Sequence, residues 1–183
     1  DDVLMRMEKR RRQTIRAAFR EGTVVDEHPT PEDVHAFYAI LENMYKTRVK
    51  QPLYPIEFFE RIIELPFGRI FAIKYEDKVI GGQVSMLQEG KTVYDIYLSG
   101  LDRDYKKQAP STIGTYASMQ YAANHGYERV DLMGAGKPGE KYGVRDFKES
   151  FRGELVSYGR NKMICNLILY HVGVLGVWLM KRL

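Results

Sequence analysis

Apolar residues recur at roughly helical spacing from the start of the chain: Leu4, Met7, Ile15, Ala18 and Phe19, with Arg11 falling in the same series and Gly22 just beyond. This predicts a helix over residues 4–21 that the glycine stops. A short strand, Thr23 to Val25, follows. Thr30-Pro31-Glu32-Asp33 carries the start signals of a second helix: Thr30 is a capping residue, Pro31 suits the first helical position, and Asp33 lies three residues after the cap. Val34, Phe37, Tyr38, Leu41 and Tyr45 give that helix one apolar face. Pro52 and Pro55 break the chain before a third helix, Ile56 to Leu65, which Pro66 and Gly68 close.

From Arg69 the period drops to two. Ile70 to Tyr75, Val79 to Leu87 and Thr92 to Leu98 read as strands joined by the polar turns 76–78 and 89–91, which predicts an antiparallel meander. A polar loop at 102–110 leads into a helix from Ser111 to Asn124, with Ser111 as the expected N-cap and Gly126 as the stop. A strand at Arg129–Met133, a glycine-rich loop at 134–139, a short helix at Asp146–Ser150 and a last strand at Glu154–Tyr158 complete the pattern. A helix spaced this way between strands normally joins parallel neighbours. The fold class is therefore α+β, a single domain whose mixed, mainly antiparallel sheet is flanked by helices and crosses over to a parallel strand. Such a change of direction splays two strands and opens a ligand crevice. The expected division is one domain over 1–160, headed by a basic helix at 1–21, and an apolar C-terminal helix at 161–183.

Composition narrows the classes. The 183 residues are 44% hydrophobic and 28% charged, enough for a packed core and unlike a disordered or fibrous chain. The single cysteine, Cys165, excludes an internal disulfide framework and points to a reducing, cytoplasmic setting. In its apolar run, with no base beside it, Cys165 reads as a buried structural thiol. His28, His35, His125 and His171 show no ligand spacing, so no metal is expected. The net charge of +4 is uneven: residues 6–20 hold seven Lys and Arg against Glu8 alone, a net +6 that leaves the rest at −2. That helix reads as a solvated face or as a contact for a phosphate, a nucleic acid, an anionic lipid or an acidic partner. No apolar secretory region follows the basic stretch, and the chain opens Asp1-Asp2 without an initiator Met, as a piece of a longer protein would.

Candidate chemistry gathers in the C-terminal third. Lys137, Lys141, Arg145, Lys148 and Arg152 crowd one stretch with Tyr142 and glycines between them, which suits phosphates or carboxylates of a nucleotide- or lipid-linked sugar substrate. Glu140, Asp146 and Glu149 equally allow a solvated, charge-balanced loop. Gly134, Gly136 and Gly139 do not form a dinucleotide fingerprint, because no long helix follows them directly. Asp131 and, with less weight, Asp95 sit in apolar strand contexts where a carboxylate acquires a shifted pKa and can act as a base, unless strand alternation turns them to solvent. Lys106, Lys107 and the helix start at Ser111 are candidates for a donor phosphate. The nearly all-apolar run 163–180, interrupted by Asn166 and His171, is short for a span. It reads as an interfacial membrane helix, a helix docked on a missing domain, or a contact between two copies.

Four stretches together resemble the GNAT acyltransferase superfamily, and within it the FemABX and BioF2-like branch that extends peptidoglycan cross-bridges in bacterial cell walls. They are Lys9-Arg10-Arg11-Arg12-Gln13-Thr14-Ile15-Arg16-Ala17; Tyr105-Lys106-Lys107 with Pro110-Ser111; Ala122, Gly126-Tyr127, Asp131 and Gly134; and Tyr142 with Phe147-Lys148-Glu149-Ser150-Phe151-Arg152-Gly153-Glu154, which the family usually writes with a doubled glycine. They cover about residues 5–160. The resemblance implies acyl or aminoacyl transfer to an amine and places Phe147 and Lys148 near the reacting groups, with Lys148 as an ammonium that neutralises a carboxylate or a developing oxyanion. It also implies a companion N-terminal domain of the same kind, because the family's known members carry two. The donor it implies is aminoacyl-tRNA or an acyl-CoA, with no tightly bound cofactor, and a tRNA partner would meet the basic helix. Members that use acetyl-CoA carry a glycine-containing loop before the crossover helix, whereas this chain has Asp104-Tyr105-Lys106-Lys107-Gln108-Ala109-Pro110. No activated Ser or Cys is evident, so transfer would be direct. The competing class is a non-catalytic GNAT domain that binds an anionic ligand or partner; an open crevice between the strands of Asp95 and Asp131, with Lys148 at its mouth, favours the enzyme.

Overall fold

The first apolar period is broken where a continuous helix is expected. The computed structural model, which describes residues 2–137, 139–157, 159, 161–180 and 182, begins with two helices, α1 (Asp2–Arg6) and α2 (Lys9–Arg20). Leu4 and Met7 are both buried in the core, and Glu8 turns extended so that its N–H donates to the Ser150 carbonyl. The bend lets both helices pack on the same partner. Strand β1 (Val24–Asp26) leads to α3 (Pro31–Met44), whose capping box forms as its sequence requires: Thr30 Oγ1 accepts the Asp33 N–H at 3.3 Å and the Asp33 carboxylate accepts the Thr30 N–H at 3.0 Å. A π-turn at Tyr45–Val49 and helix α4 (Ile56–Glu64) follow.

The meander forms β2 (Gly68–Tyr75), β3 (Lys78–Gln88) and β4 (Thr92–Gly100). Helix α5 (Pro110–Asn124) crosses one face of the sheet and returns to β5 (Arg129–Asp131). The order is β1-β2-β3-β4-β5, antiparallel except for the parallel β4–β5 pair. Helices α3 and α4 cover the other face, burying Phe37, Leu41, Phe59 and Ile62 against Ile70, Ala72 and Val84. On the α5 face Ile15, Ile73, Ile80 and Ile113 meet Phe151. Gly82 has a steric reason: a Cβ there would lie 2.7 Å from the Phe37 ring. Lys74 pins β2 to β1 and α3 by donating to Asp26 at 2.8 Å and Asp33 at 2.7 Å. Two short helices end the chain, α6 (Gly143–Glu149) and α7 (Leu167–Met180).

Four sequence expectations are corrected. Ser111 is not the N-cap of α5. Ala109 holds that position with φ 46°, Pro110 is the first helical residue, and Ser111 is already inside. The strand expected over Arg129–Met133 stops at Asp131, because its own carboxylate accepts the Met133 N–H at 2.7 Å and the backbone turns left-handed at Met133. The strand expected at Glu154–Tyr158 is absent from its described part, 154–157, which lines a cavity beside β5. Tyr158 itself lies outside the described residues. Cys165 is exposed, because the apolar run around it has no core to enter.

Candidate active site

Strands β4 and β5 pair only at Thr92 with Arg129, Val93 with Val130 and Tyr94 with Asp131. The pairing ends there, because Asp131 is the last residue of β5. A bulge follows in β4: Ser85 faces Asp95 while Val84 faces Tyr97, which leaves Ile96 as the extra residue of β4. A cavity of about 520 Å³ has walls that include Tyr94, Met119, Asp131, Met133, Lys148 and Leu155. The cavity lies beside β5 with Tyr94 as its lining residue from β4 and Lys148 in its wall.

Lys148 is fixed from behind. Its Nζ donates to the carbonyl oxygens of Leu132 and of Gly134, the latter at 2.8 Å, so the end of β5 and the start of the glycine loop hold the ammonium in place. Burial lowers its pKa, and the nearby Asp95 and Asp131 carboxylates act against that shift. An ammonium has three N–H groups, and two go to these carbonyls. Asp131 lines the same cavity; one of its oxygens, Oδ1, is engaged by the Met133 N–H.

Asp95 occupies a different environment. It is 8% exposed, and each carboxylate oxygen accepts one hydroxyl, from Ser85 and from Ser118, both at 2.7 Å. Burial pushes its pKa up to about 7, while the two hydroxyl bonds and Lys148 pull it down and Asp131 adds to the rise. Sequence reasoning ranks it below Asp131 as a candidate base. Its burial comes from the β4 bulge and from α5 lying over β4, neither of which a period-two pattern reveals.

The other candidates separate. Arg145 is in the cavity wall, and its guanidinium donates to the backbone carbonyls of Ala135 (2.9 Å), Glu140 (3.0 Å) and Lys137, so it braces the loop. Phe147 is likewise a packing residue: its ring meets Phe151 at 5.2 Å, and the Arg11 guanidinium lies 4.8 Å above it. Arg11, which falls in the apolar series of the first helix, donates to Ser150 at 2.9 Å and Thr112 at 2.6 Å and stacks on both Phe rings, tying α2 to α5 and α6. Tyr142 rests on Gly136 at the outside of the loop, where an added Cβ would come within 2.7 Å of the ring. Lys137, paired with Glu140 at 3.5 Å, is exposed, as are Lys141 and Arg152, and none of the three is in the cavity wall. Lys9, Arg10, Arg16 and Arg20 remain exposed on α2.

The candidate donor site at the start of α5 does not fit a pyrophosphate. Asp102 reaches back over the helix end, where its carboxylate accepts the Ser111 N–H at 3.2 Å and the Ser111 hydroxyl. A carboxylate already fills the position that an incoming anion would take. Lys106 is exposed, and Lys107 lies 3.7 Å from Glu21.

Known proteins share this fold. No curated protein matches the sequence. Among solved structures, FemX is 17% identical with a TM-score of 0.68, over 82% of this chain and 55% of FemX, so the chain spans about half the length of that protein. The aminoglycoside acetyltransferase meta-AAC0020 from an uncultured soil metagenomic sample, solved with sisomicin, is 17% identical with a TM-score of 0.58, over 78% of this chain and 97% of that one. AAC(6')-Iy in complex with a CoA-containing bisubstrate analogue is 11% identical with a TM-score of 0.56, over 77% and 99%. At these identities the likeness is one of fold. The sequence itself matches the acetyltransferase (GNAT) domain over residues 6–149, and the chain belongs to that family.

Proposed function

We propose that this domain transfers an acyl group directly to an amine in the cavity beside β5, in the manner of the FemABX and BioF2-like branch. The observation that carries the proposal is the Lys148 ammonium, anchored on two backbone carbonyls at the wall of an open cavity that Asp131 shares. In this reading the amine nitrogen attacks the donor's carbonyl carbon. The resulting oxyanion is met by the remaining Lys148 N–H, a charge-assisted donor already in place. Asp131 takes the amine proton through Oδ2, the oxygen that its turn leaves unused. The bond from the carbonyl carbon to the donor's oxygen or sulfur then breaks, and that leaving group takes up a proton. Lys148 and Asp131 are the catalytic residues proposed. Lys137, Lys141, Tyr142 and Arg152 are proposed for the outer part of a bulky anionic acceptor, a lipid- or nucleotide-linked sugar of the cell envelope.

The α5 start bears on the choice of donor. With Asp102 seated there, an activated acyl group held by other contacts, as in an aminoacyl-tRNA, is favoured, and exposed Lys9, Arg10, Arg16 and Arg20 supply cations for a polyanion. The likeness to AAC(6')-Iy, solved with a CoA-containing analogue, favours acyl-CoA as the second reading. Incubation with labelled acetyl-CoA and, separately, labelled aminoacyl-tRNA, with hydroxylamine as the acceptor amine, distinguishes them. Release of label from the tRNA alone supports the first reading, and release from acetyl-CoA alone supports the second. No release from either, above the protein-free rate, defeats the enzyme reading.

A further inference from the structure

Helix α7 is apolar on nearly every side yet rests on nothing. None of its residues is buried, and Ile168 is 77%, Leu169 69%, and Leu167 and Val172 each 61% exposed. A helix apolar all round belongs inside a protein or in lipid. Its 14 residues measure about 21 Å at 1.5 Å per residue, well short of a hydrocarbon core. No described helix is long and apolar enough to cross a membrane.

The two ends of α7 point to one occupant. Lys162 lies 3.9 Å from the centre of the Tyr170 ring and bonds its hydroxyl, and Arg182 lies 3.7 Å over Trp178. Aromatic rings paired with long basic side chains suit the boundary between acyl chains and headgroups, where the ring sits half in lipid and the cation stays in water. From Leu155 to Leu183 there is no Asp or Glu, while Arg160, Lys162, Lys181 and Arg182 give a charge of +4. An anionic bilayer surface satisfies both the apolar girth and the cationic ends. Asn166, whose carbonyl oxygen accepts the Leu169 N–H at 3.0 Å, lies on the same line of the helix as Tyr170 and Gly173. That gives the helix a narrow polar edge to turn towards the headgroups.

We propose that α7 lies in the plane of an anionic membrane surface and holds the domain there. Trp178 is the chain's one tryptophan, so its emission reports this helix. With vesicles of equal parts phosphatidylcholine and phosphatidylglycerol, the 183-residue protein is expected to sediment with the lipid and its emission to move to shorter wavelength. Binding to phosphatidylcholine alone should be about tenfold weaker or less. Ile168→Glu combined with Leu175→Glu, at exposed positions of α7, should abolish binding and leave the unfolding midpoint unchanged. Unchanged emission with protein left in the supernatant overturns the proposal. So does an emission shift that follows protein concentration without lipid, which marks a second copy as the occupant. Equal binding to both vesicle types overturns the role of the anionic surface.

Discussion

Asp95 and Asp131 are the same residue type on neighbouring strands, both in apolar sequence, and the fold gives them opposite surroundings. Asp95 is sealed under α5 with a hydroxyl on each oxygen, whereas Asp131 stands at the cavity with one oxygen used by its own turn. A sealed, satisfied carboxyl contributes to stability and to the local field. A half-satisfied one beside an anchored ammonium can exchange a proton with a substrate. Burial and partner count, more than residue type or strand context, decide which does chemistry.

Substitutions can break that contrast. Asp131→Ala should slow transfer by about 10²-fold or more, as expected for loss of a general base, while its denaturation midpoint stays near wild type. Asp95→Ala should do the reverse, losing about 2 kcal/mol in urea unfolding at pH 4 because the Ser85 and Ser118 hydroxyls lose their acceptor. If the two variants show the same profile, the distinction fails.

Titration sharpens the contrast. The Asp95 pKa rises from 3.8 to about 7 on folding, so the folded state holds a proton that the unfolded state releases between those values. Its contribution is fully present below about pH 4 and is lost as pH climbs to about 7. Asp26, bonded by Lys74, and Asp33, whose burial is outweighed by the Lys74 and Thr30 bonds, sit below their usual value and act with the opposite sign. Because Asp26 and Asp33 are common to both proteins, the difference between wild type and Asp95→Asn isolates Asp95. That difference should move against wild type between pH 4 and 7; a flat difference contradicts the assignment. Arg152→Gly is the smallest effect. Arg152 holds φ 65° in a stretch that the resembling family writes with a doubled glycine, so glycine should stabilise the fold by about 0.5–1 kcal/mol in urea unfolding.

The meander and the crossover were legible because alternation, polar turns and an intervening helix are local signals. What stayed hidden depends on partners distant in sequence. Ser111 looked like a cap because nothing local shows Asp102 reaching back nine residues to bond it. Arg145 and Phe147 looked available because sequence does not show that carbonyls of Ala135, Lys137 and Glu140 engage the one, or that Arg11 and Phe151 engage the other. Lys148 was legible only through resemblance; the carbonyls of Leu132 and Gly134 that hold it are backbone atoms, which any residue type supplies.

The central claim is that the reacting centre lies at the Lys148 wall of the cavity. Single-turnover transfer of a labelled acyl group to hydroxylamine, from the donor that wild type accepts, tests it directly in Lys148→Ala, with the unfolding midpoint measured alongside. The expected result is a rate lower by about 10²–10³-fold with folding retained. Transfer at the wild-type rate by a folded Lys148→Ala protein would contradict the account.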